Sequence, residues 1–168
     1  MKQLPKAKLL SGNEVVFIAK FFSIFLILEA AINYFGFLAL QEFLAKSTAA
    51  ALGLASSGSI VFIGGGSFEI SPSCTGLVSS SVLAAVVFSL RKPDFGKKIL
   101  IFLFGAVLLL ILNYFRVLAV LWAGKEFGIE AGGIVHVVSW FTTTIFVLAL
   151  WYFFTKKITG AEEFSDFM

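Results

Sequence analysis

Charge is scarce in this 168-residue chain: Asp, Glu, Lys and Arg together make up 14% of it, against about 25% in soluble domains. With 59% of residues hydrophobic and a mean hydropathy of +0.98, that shortage excludes a soluble globule and marks an integral membrane protein. The formal net charge is +3. The cations flank apolar stretches and form no stripe, which argues against nucleic acid as a partner. A single cysteine excludes an internal disulfide. A single histidine beside that single cysteine cannot complete a zinc shell, so neither metal nor other cofactor is expected. No internal repeat or low-complexity domain is visible, and the chain reads as one integral-membrane domain, 1–168. A cleavable leader is not expected either. The first apolar run is longer than the roughly 7–15 residues of a signal h-region and lacks a small-x-small exit, so it reads as an uncleaved anchor.

Four apolar runs are present, at about 15–40, 74–90, 99–123 and 134–154. Each approaches the roughly 20 residues that an α-helix needs to cross the hydrocarbon; the second is the shortest. They predict an all-α bundle of four transmembrane helices. Lys2, Lys6 and Lys8 precede the first run, Arg91, Lys92, Lys97 and Lys98 fill the link between the second and third, and Lys156 and Lys157 follow the fourth. The other connections hold only Lys46 and Lys125, beside Glu42, Glu69, Glu126 and Glu130. The positive-inside rule therefore predicts both termini in the cytoplasm, N-in and C-in, with 41–73 and 124–133 outside. Within the longer outer loop, the Ala-rich stretch 41–57 predicts a short interfacial helix. Two β-prone pieces around a Gly-rich turn, within 59–71, predict a β-hairpin. The hairpin leads straight into Pro72-Ser73-Cys74. It either shapes a substrate groove, pairs with an extended peptide by strand addition, or is a plain connector. The acidic tail, 159–168, is expected to be disordered.

This topology brings three rare groups to one side. Cys74 opens the second run at its outer end, and His136 lies in the first outer turn of the fourth. Arg116 lies about two turns from the outer end of the third run, roughly 10 Å below the boundary. Ionisable groups inside a membrane are costly and mark functional sites by default. Pro72 suits a first helical turn, Ser71 or Ser73 can cap it, and a thiol there meets the positive end of the helix dipole. Arg116 shares a helix face with Asn113 and suits the role of an oxyanion or carboxylate clamp. His136 within reach of the thiol can take its proton and later protonate a leaving amine. Glu29, mid-membrane in the first run with Asn33 one turn on, is expected to pair with or orient Arg116, or else to stay protonated beside a polar cavity. Each residue also has a plainer reading: a buried inert thiol, a snorkelling arginine, a capping histidine. Two other functional classes fit the same residues. One is a small transporter or lipid-binding protein with a polar path lined by Glu29, Asn33, Arg116 and His136. The other is a non-catalytic assembly subunit.

The Cys-Thr-Gly at 74–76, the Asn-x-x-Arg at 113–116 and the His at 136 together resemble the archaeosortase/exosortase family, over about 62–151 and in overall topology. The resemblance implies that Cys74, Arg116 and His136 are catalytic; by their own placement, Asn113 and Glu29 are expected to support them. It implies a membrane cysteine transpeptidase or protease whose partner is a membrane-anchored protein ending in a C-terminal sorting signal: a short motif, a membrane helix and a basic tail. Cleavage would pass through a thioacyl-enzyme, the new C-terminus would go to an acceptor, expected to be a lipid, and the site would face the extracytoplasmic side of the cell membrane.

Overall fold

The computed structural model describes residues 12–159. The basic residues Lys2, Lys6 and Lys8 and nearly all of the acidic tail lie outside the described residues. The order of elements is α1 (Gly12–Phe35), α2 (Leu38–Leu52), β1 (Ala55–Ser57), β2 (Ile60–Ile63), β3 (Gly66–Glu69), a 3₁₀ turn (Pro72–Cys74), α3 (Leu77–Ser89), α4 (Phe95–Phe127) and α5 (Ile129–Thr159). Three of these helices, α1, α4 and α5, are long and apolar enough to cross a membrane. The fourth apolar segment, α3, has only 13 residues, or about 20 Å of helix against a hydrocarbon core of about 30 Å. The bundle thus has three long apolar helices and one short one, which falls on the second and shortest of the four apolar runs expected to span. Side chains such as Leu26, Ile27, Leu103, Phe104, Phe141 and Ile145 are exposed. A long helix hydrophobic on its outer face is suited to lipid.

The first apolar run does not continue to residue 40. Gly36 and Phe37 both take positive φ, 68° and 47°, which breaks the right-handed helix and turns the chain into α2. The Gln41 side chain bridges the break by donating to the Gly36 carbonyl. At its other end, α2 stops at Gly53, whose φ of 66° suits a residue without Cβ. There Gly53 and Leu54 N–H groups donate to Ala50 and Ala49 carbonyls at 3.3 and 2.9 Å, the paired bonds of a Schellman ending. The interfacial helix therefore ends five residues short of its expected limit, and Ala55–Ser57 becomes a strand.

The expected hairpin is present as β2 and β3, with Ile63 opposite Gly66 across a two-residue Gly64-Gly65 loop. It is part of a three-stranded antiparallel sheet in the order β1-β2-β3. The third strand was hidden because Ala-Ser-Ser carries little β-propensity; pairing with β2, not side-chain character, makes it a strand. One face of the sheet is apolar. Val61, Ile63 and Ile70 pack with Leu44, Ala45 and Ala49 of α2 and Val117 and Leu121 of α4, and Cys74 belongs to the same buried cluster. The sheet also rests on the corner where α4 meets α5. A Cβ at Gly124 or Gly132 would come within 2.9 or 2.7 Å of the Phe68 ring, so both glycines are needed for the ring to seat. A second cluster holds the opposite half of the bundle: Leu83, Val86 and Val87 of α3 with Leu90 just after it, Ile101 and Leu109 of α4, Val147 and Trp151 of α5.

Candidate active site

Cys74 lies at the close of the 3₁₀ turn, one residue pair ahead of α3, and not in the first α-helical turn. Its N–H donates to the Ser71 carbonyl at 2.9 Å. The cause is Gly76, whose φ of +85° cannot belong to a right-handed helix, so α3 starts only at Leu77. Gly76 is also required for space: a Cβ there would lie 2.9 Å from Asn113 Cβ. The expected serine caps are absent as well, since neither turn nor helix carries a side-chain cap. The Ser71 hydroxyl instead lies 2.8 Å from Ser73 Oγ and 3.4 Å from Cys74 Sγ. Thr75 Oγ1 braces the turn by donating to the Pro72 carbonyl at 2.6 Å. The thiol is thus held by a local polar turn, buried, with a hydroxyl in contact.

Asn113, 1% exposed, ties that turn to α4. Its Nδ2 donates to the Cys74 carbonyl at 2.5 Å, and its Oδ1 accepts from Arg116 Nη1 at 3.2 Å. Arg116 Nε donates to Ser139 Oγ at 2.9 Å, and the Ser139 hydroxyl donates to the His136 carbonyl at 2.7 Å. One chain of hydrogen bonds thus runs Cys74–Asn113–Arg116–Ser139–His136 and crosses from the 3₁₀ turn through α4 to α5. The guanidinium carbon also stands 6.0 Å from the centroid of the Trp140 ring, within cation–π range. Arg116 Nη2 is buried and has no hydrogen-bond partner among the described residues. A buried donor left unpaired costs about 1–3 kcal/mol, more when charged, so this nitrogen is the natural place for an acceptor oxygen to arrive.

Arg116 is eleven residues from the end of α4 and His136 is seven from the start of α5, about 16 and 10 Å along their axes. Both lie farther from their helix ends than from the ends of the apolar runs, because α4 continues past residue 123 and α5 begins before residue 134. Cys74, Arg116 and His136 nonetheless line one cavity of about 210 Å³, whose roof is Phe68, Glu69 and Ile70. The thiol is the nucleophile-type group in this cavity, the imidazole a proton carrier, and the guanidinium a fixed cation held on two of its three nitrogens.

Glu29 does not join this set. Asn33 Nδ2, on the same helix, donates to the Glu29 carbonyl at 2.9 Å and to its Oε1 at 3.3 Å. No hydrogen bond or ion pair links Glu29 to Arg116 among the described residues. The expected pairing is replaced by local bonding because α1 packs mainly on α3, while Arg116 turns toward Asn113 and α5. Glu29 Oε2 is buried without a hydrogen-bond partner. Ser139 is the member that the sequence reading passed over as a site residue; its signal was its place one turn beyond His136, on the same helix face. Among the described residues no three His, Cys, Asp or Glu side chains gather as metal ligands.

A family model matches residues 7–155, nearly the whole chain; it is that of the transmembrane exosortases. No curated protein matches, and no solved structure does.

Proposed function

The chain belongs to the transmembrane exosortase family, and from that premise we propose that it is a membrane-embedded cysteine transpeptidase or protease, with Cys74, Arg116 and His136 as its catalytic residues. The observation that carries this reading is the shared cavity: a thiol, an imidazole and a guanidinium with one buried, unpaired nitrogen meet in it. Neither a transport path nor a purely structural role calls for that combination.

In this reading His136 takes the proton from Cys74 Sγ, and the thiolate attacks a peptide carbonyl of a membrane-anchored substrate. The new C–S bond pushes the carbonyl electrons onto oxygen, and Arg116 Nη2 donates to that oxyanion. Collapse of the tetrahedral intermediate breaks the C–N bond, and His136 passes its proton to the leaving amine. A thioacyl-enzyme remains. An incoming hydroxyl or amine gives its proton to His136 and attacks the thioester, and Cys74 leaves as thiolate. The acceptor is a lipid head group in the transfer reaction and water in hydrolysis. Asn113 and Ser139 are positioning residues: each holds Arg116 in its fork and neither needs to touch the substrate.

The substrate in this proposal is a secreted protein that ends in a short motif, an apolar span and a basic tail. Its cleavage site lies at the extracytoplasmic face of the cell membrane. The distribution of Lys and Arg supports that side: Arg91, Lys92, Lys97 and Lys98 lie at the end of the bundle away from the sheet, as do Lys156 and Lys157, and this is the pattern of a cytoplasmic face. Co-expression of such a protein with wild-type and Cys74→Ala enzymes, followed by immunoblotting for loss of the C-terminal span, tests the proposal. Processing by wild type and none by Cys74→Ala is the expected result. Equal processing by both would remove the thiol from the mechanism.

A further inference from the structure

β3 is an outer strand of the sheet. β2 pairs with one side of it, and no strand pairs with the other among the described residues. The ladder fixes which groups face the open side. Ile70 N–H donates to the Ser59 carbonyl at 2.8 Å, and Glu69, Phe68 and Ser67 stand opposite Ile60, Val61 and Phe62. Bonded and unbonded pairs alternate along an antiparallel ladder. Phe68 therefore exchanges bonds with Val61, whereas the backbone N–H and C=O groups of Ser67 and Glu69 point away from β2. Both residues are exposed.

An unpaired row of backbone donors and acceptors is a template for another extended chain. This edge has three features that suit it to that use. It is anchored, since Phe68 seats against Gly124 and Gly132 and Gly66 leaves room for the Ile129 side chain. It is continuous with the site, since Glu69, Ile70 and Ser71 line the same cavity as Cys74, Arg116 and His136. It also points the right way: β3 leads from the Gly64-Gly65 loop into the Cys74 turn. A substrate with its folded part outside and its C-terminal span in the membrane passes the cavity in that same sense.

We propose that the substrate segment on the N-terminal side of the scissile bond adds to the free edge of β3 as a parallel strand, and that this pairing presents the scissile carbonyl to Cys74. The inference rests on the transpeptidase reading above and adds the mode of substrate recognition to it. Strand addition draws affinity from the main chain and leaves side-chain choice to the pockets on either face. In a parallel pair the bonds are evenly spaced, and every second residue of the added chain faces its partner with its N–H and C=O. Recognition must then show a period of two.

The test uses the full-length enzyme in lipid nanodiscs and a synthetic substrate. The substrate copies the motif, apolar span and basic tail of a secreted protein from the same cell, with single N-methyl amides placed in turn at the residues before the scissile bond. N-methylation removes one donor and leaves the side chain. Each lost bond raises KM roughly two- to tenfold, at alternate residues only, with kcat little changed. On the enzyme side, Ser67→Pro and Glu69→Pro remove edge N–H groups that the sheet itself does not use, and both raise KM in the same way. The alkylation rate of Cys74 reports whether the turn is intact in these variants; where it is not, the N-methyl series decides. A KM that stays flat across the series while processing still depends on Cys74 overturns strand addition alone. Processing of the unmodified peptide by Cys74→Ala overturns the transpeptidase reading and strand addition with it.

Discussion

Asn113 Nδ2 donates to the carbonyl oxygen of Cys74 at 2.5 Å across a gap of 39 residues in sequence. The same side chain accepts from Arg116 at 3.2 Å, so one amide sets the distance between the thiol's turn and the guanidinium. Replacing it with alanine leaves a buried carbonyl and a second guanidinium nitrogen unpaired. The expected loss is about 2–6 kcal/mol of stability from the two groups together. Asn113→Asp keeps the acceptor for Arg116 but sets an oxygen against the Cys74 carbonyl, so it restores less than half of that loss. Thermal unfolding in detergent, with Cys74 alkylation as a local probe, measures both.

Ser139 is predicted to matter through Arg116 and not through substrate. Ser139→Ala removes the acceptor of Arg116 Nε and frees the fork to rotate. With about 1–3 kcal/mol at stake, kcat falls roughly tenfold or more while KM changes little. Ser139→Thr keeps a hydroxyl at the same place and restores most of the rate. If the threonine variant is as slow as alanine, the hydrogen bond is not the cause.

Arg116→Lys retains the charge and loses the fork. An ammonium cannot bond Asn113, Ser139 and an oxyanion in one plane. Removing one oxyanion donor costs about 2.7–4 kcal/mol in known acyl-transfer sites, so kcat/KM for processing drops by at least about a hundredfold. Near-wild-type activity of the lysine variant would show that only charge is needed.

Gly76→Ala tests the backbone beneath the site. The position has φ +85°, and an added Cβ would meet Asn113 Cβ at 2.9 Å. A non-glycine residue in the left-handed region costs about 1–2 kcal/mol, and the steric contact adds to it. The variant is expected to melt at lower temperature and to alkylate faster at Cys74, because the turn can close only by moving away from α4. An unchanged melting temperature and alkylation rate would show that the turn is not held by this contact.

Much of the fold could be read from composition, because membrane insertion writes long apolar runs into a sequence. The runs at 99–123 and 134–154 lie wholly within α4 and α5. The boundaries were less legible. Gly36 and Phe37 sit inside an unbroken apolar stretch, and only their left-handed backbone reveals the turn into α2. Gly132 and Gly133 read as a loop, yet they lie within α5, where Gly132 gives the Phe68 ring a surface without a side chain. In the site, chemistry singled out Cys74, Arg116 and His136, since a lone Cys and a lone His are conspicuous. Asn113 was found through its spacing from Arg116. Ser139 was harder to find, since serine is common in helices and its role depends on which neighbour faces it. The Glu29 pairing was misread for a related reason: depth along a helix is visible in a sequence, but rotation about its axis is set by packing, here of α1 on α3.

The phenylalanine that joins sheet to bundle is expected to gate access. Phe68→Ala empties the contact with Gly124 and Gly132 and removes part of the cavity roof. Truncating a phenylalanine in a core costs about 3–5 kcal/mol; for this partly buried ring roughly half of that is expected. Limited proteolysis should then cut within residues 55–71 well before wild type is cut, while the helices stay intact. A sheet as protease-resistant as in wild type would show that the Phe68 contact does not hold it down.

The most direct test of the central claim is mass spectrometry of the intact enzyme, rapidly quenched at low pH during turnover with the synthetic substrate. The account predicts an added mass equal to the N-terminal fragment of the substrate less one water, mapped to Cys74, released by neutral hydroxylamine and absent from Cys74→Ala. An adduct that accumulates in His136→Ala would place the imidazole in the second half-reaction. Turnover by the wild-type enzyme with no acyl mass on Cys74, in wild type or in any slow variant, would contradict it.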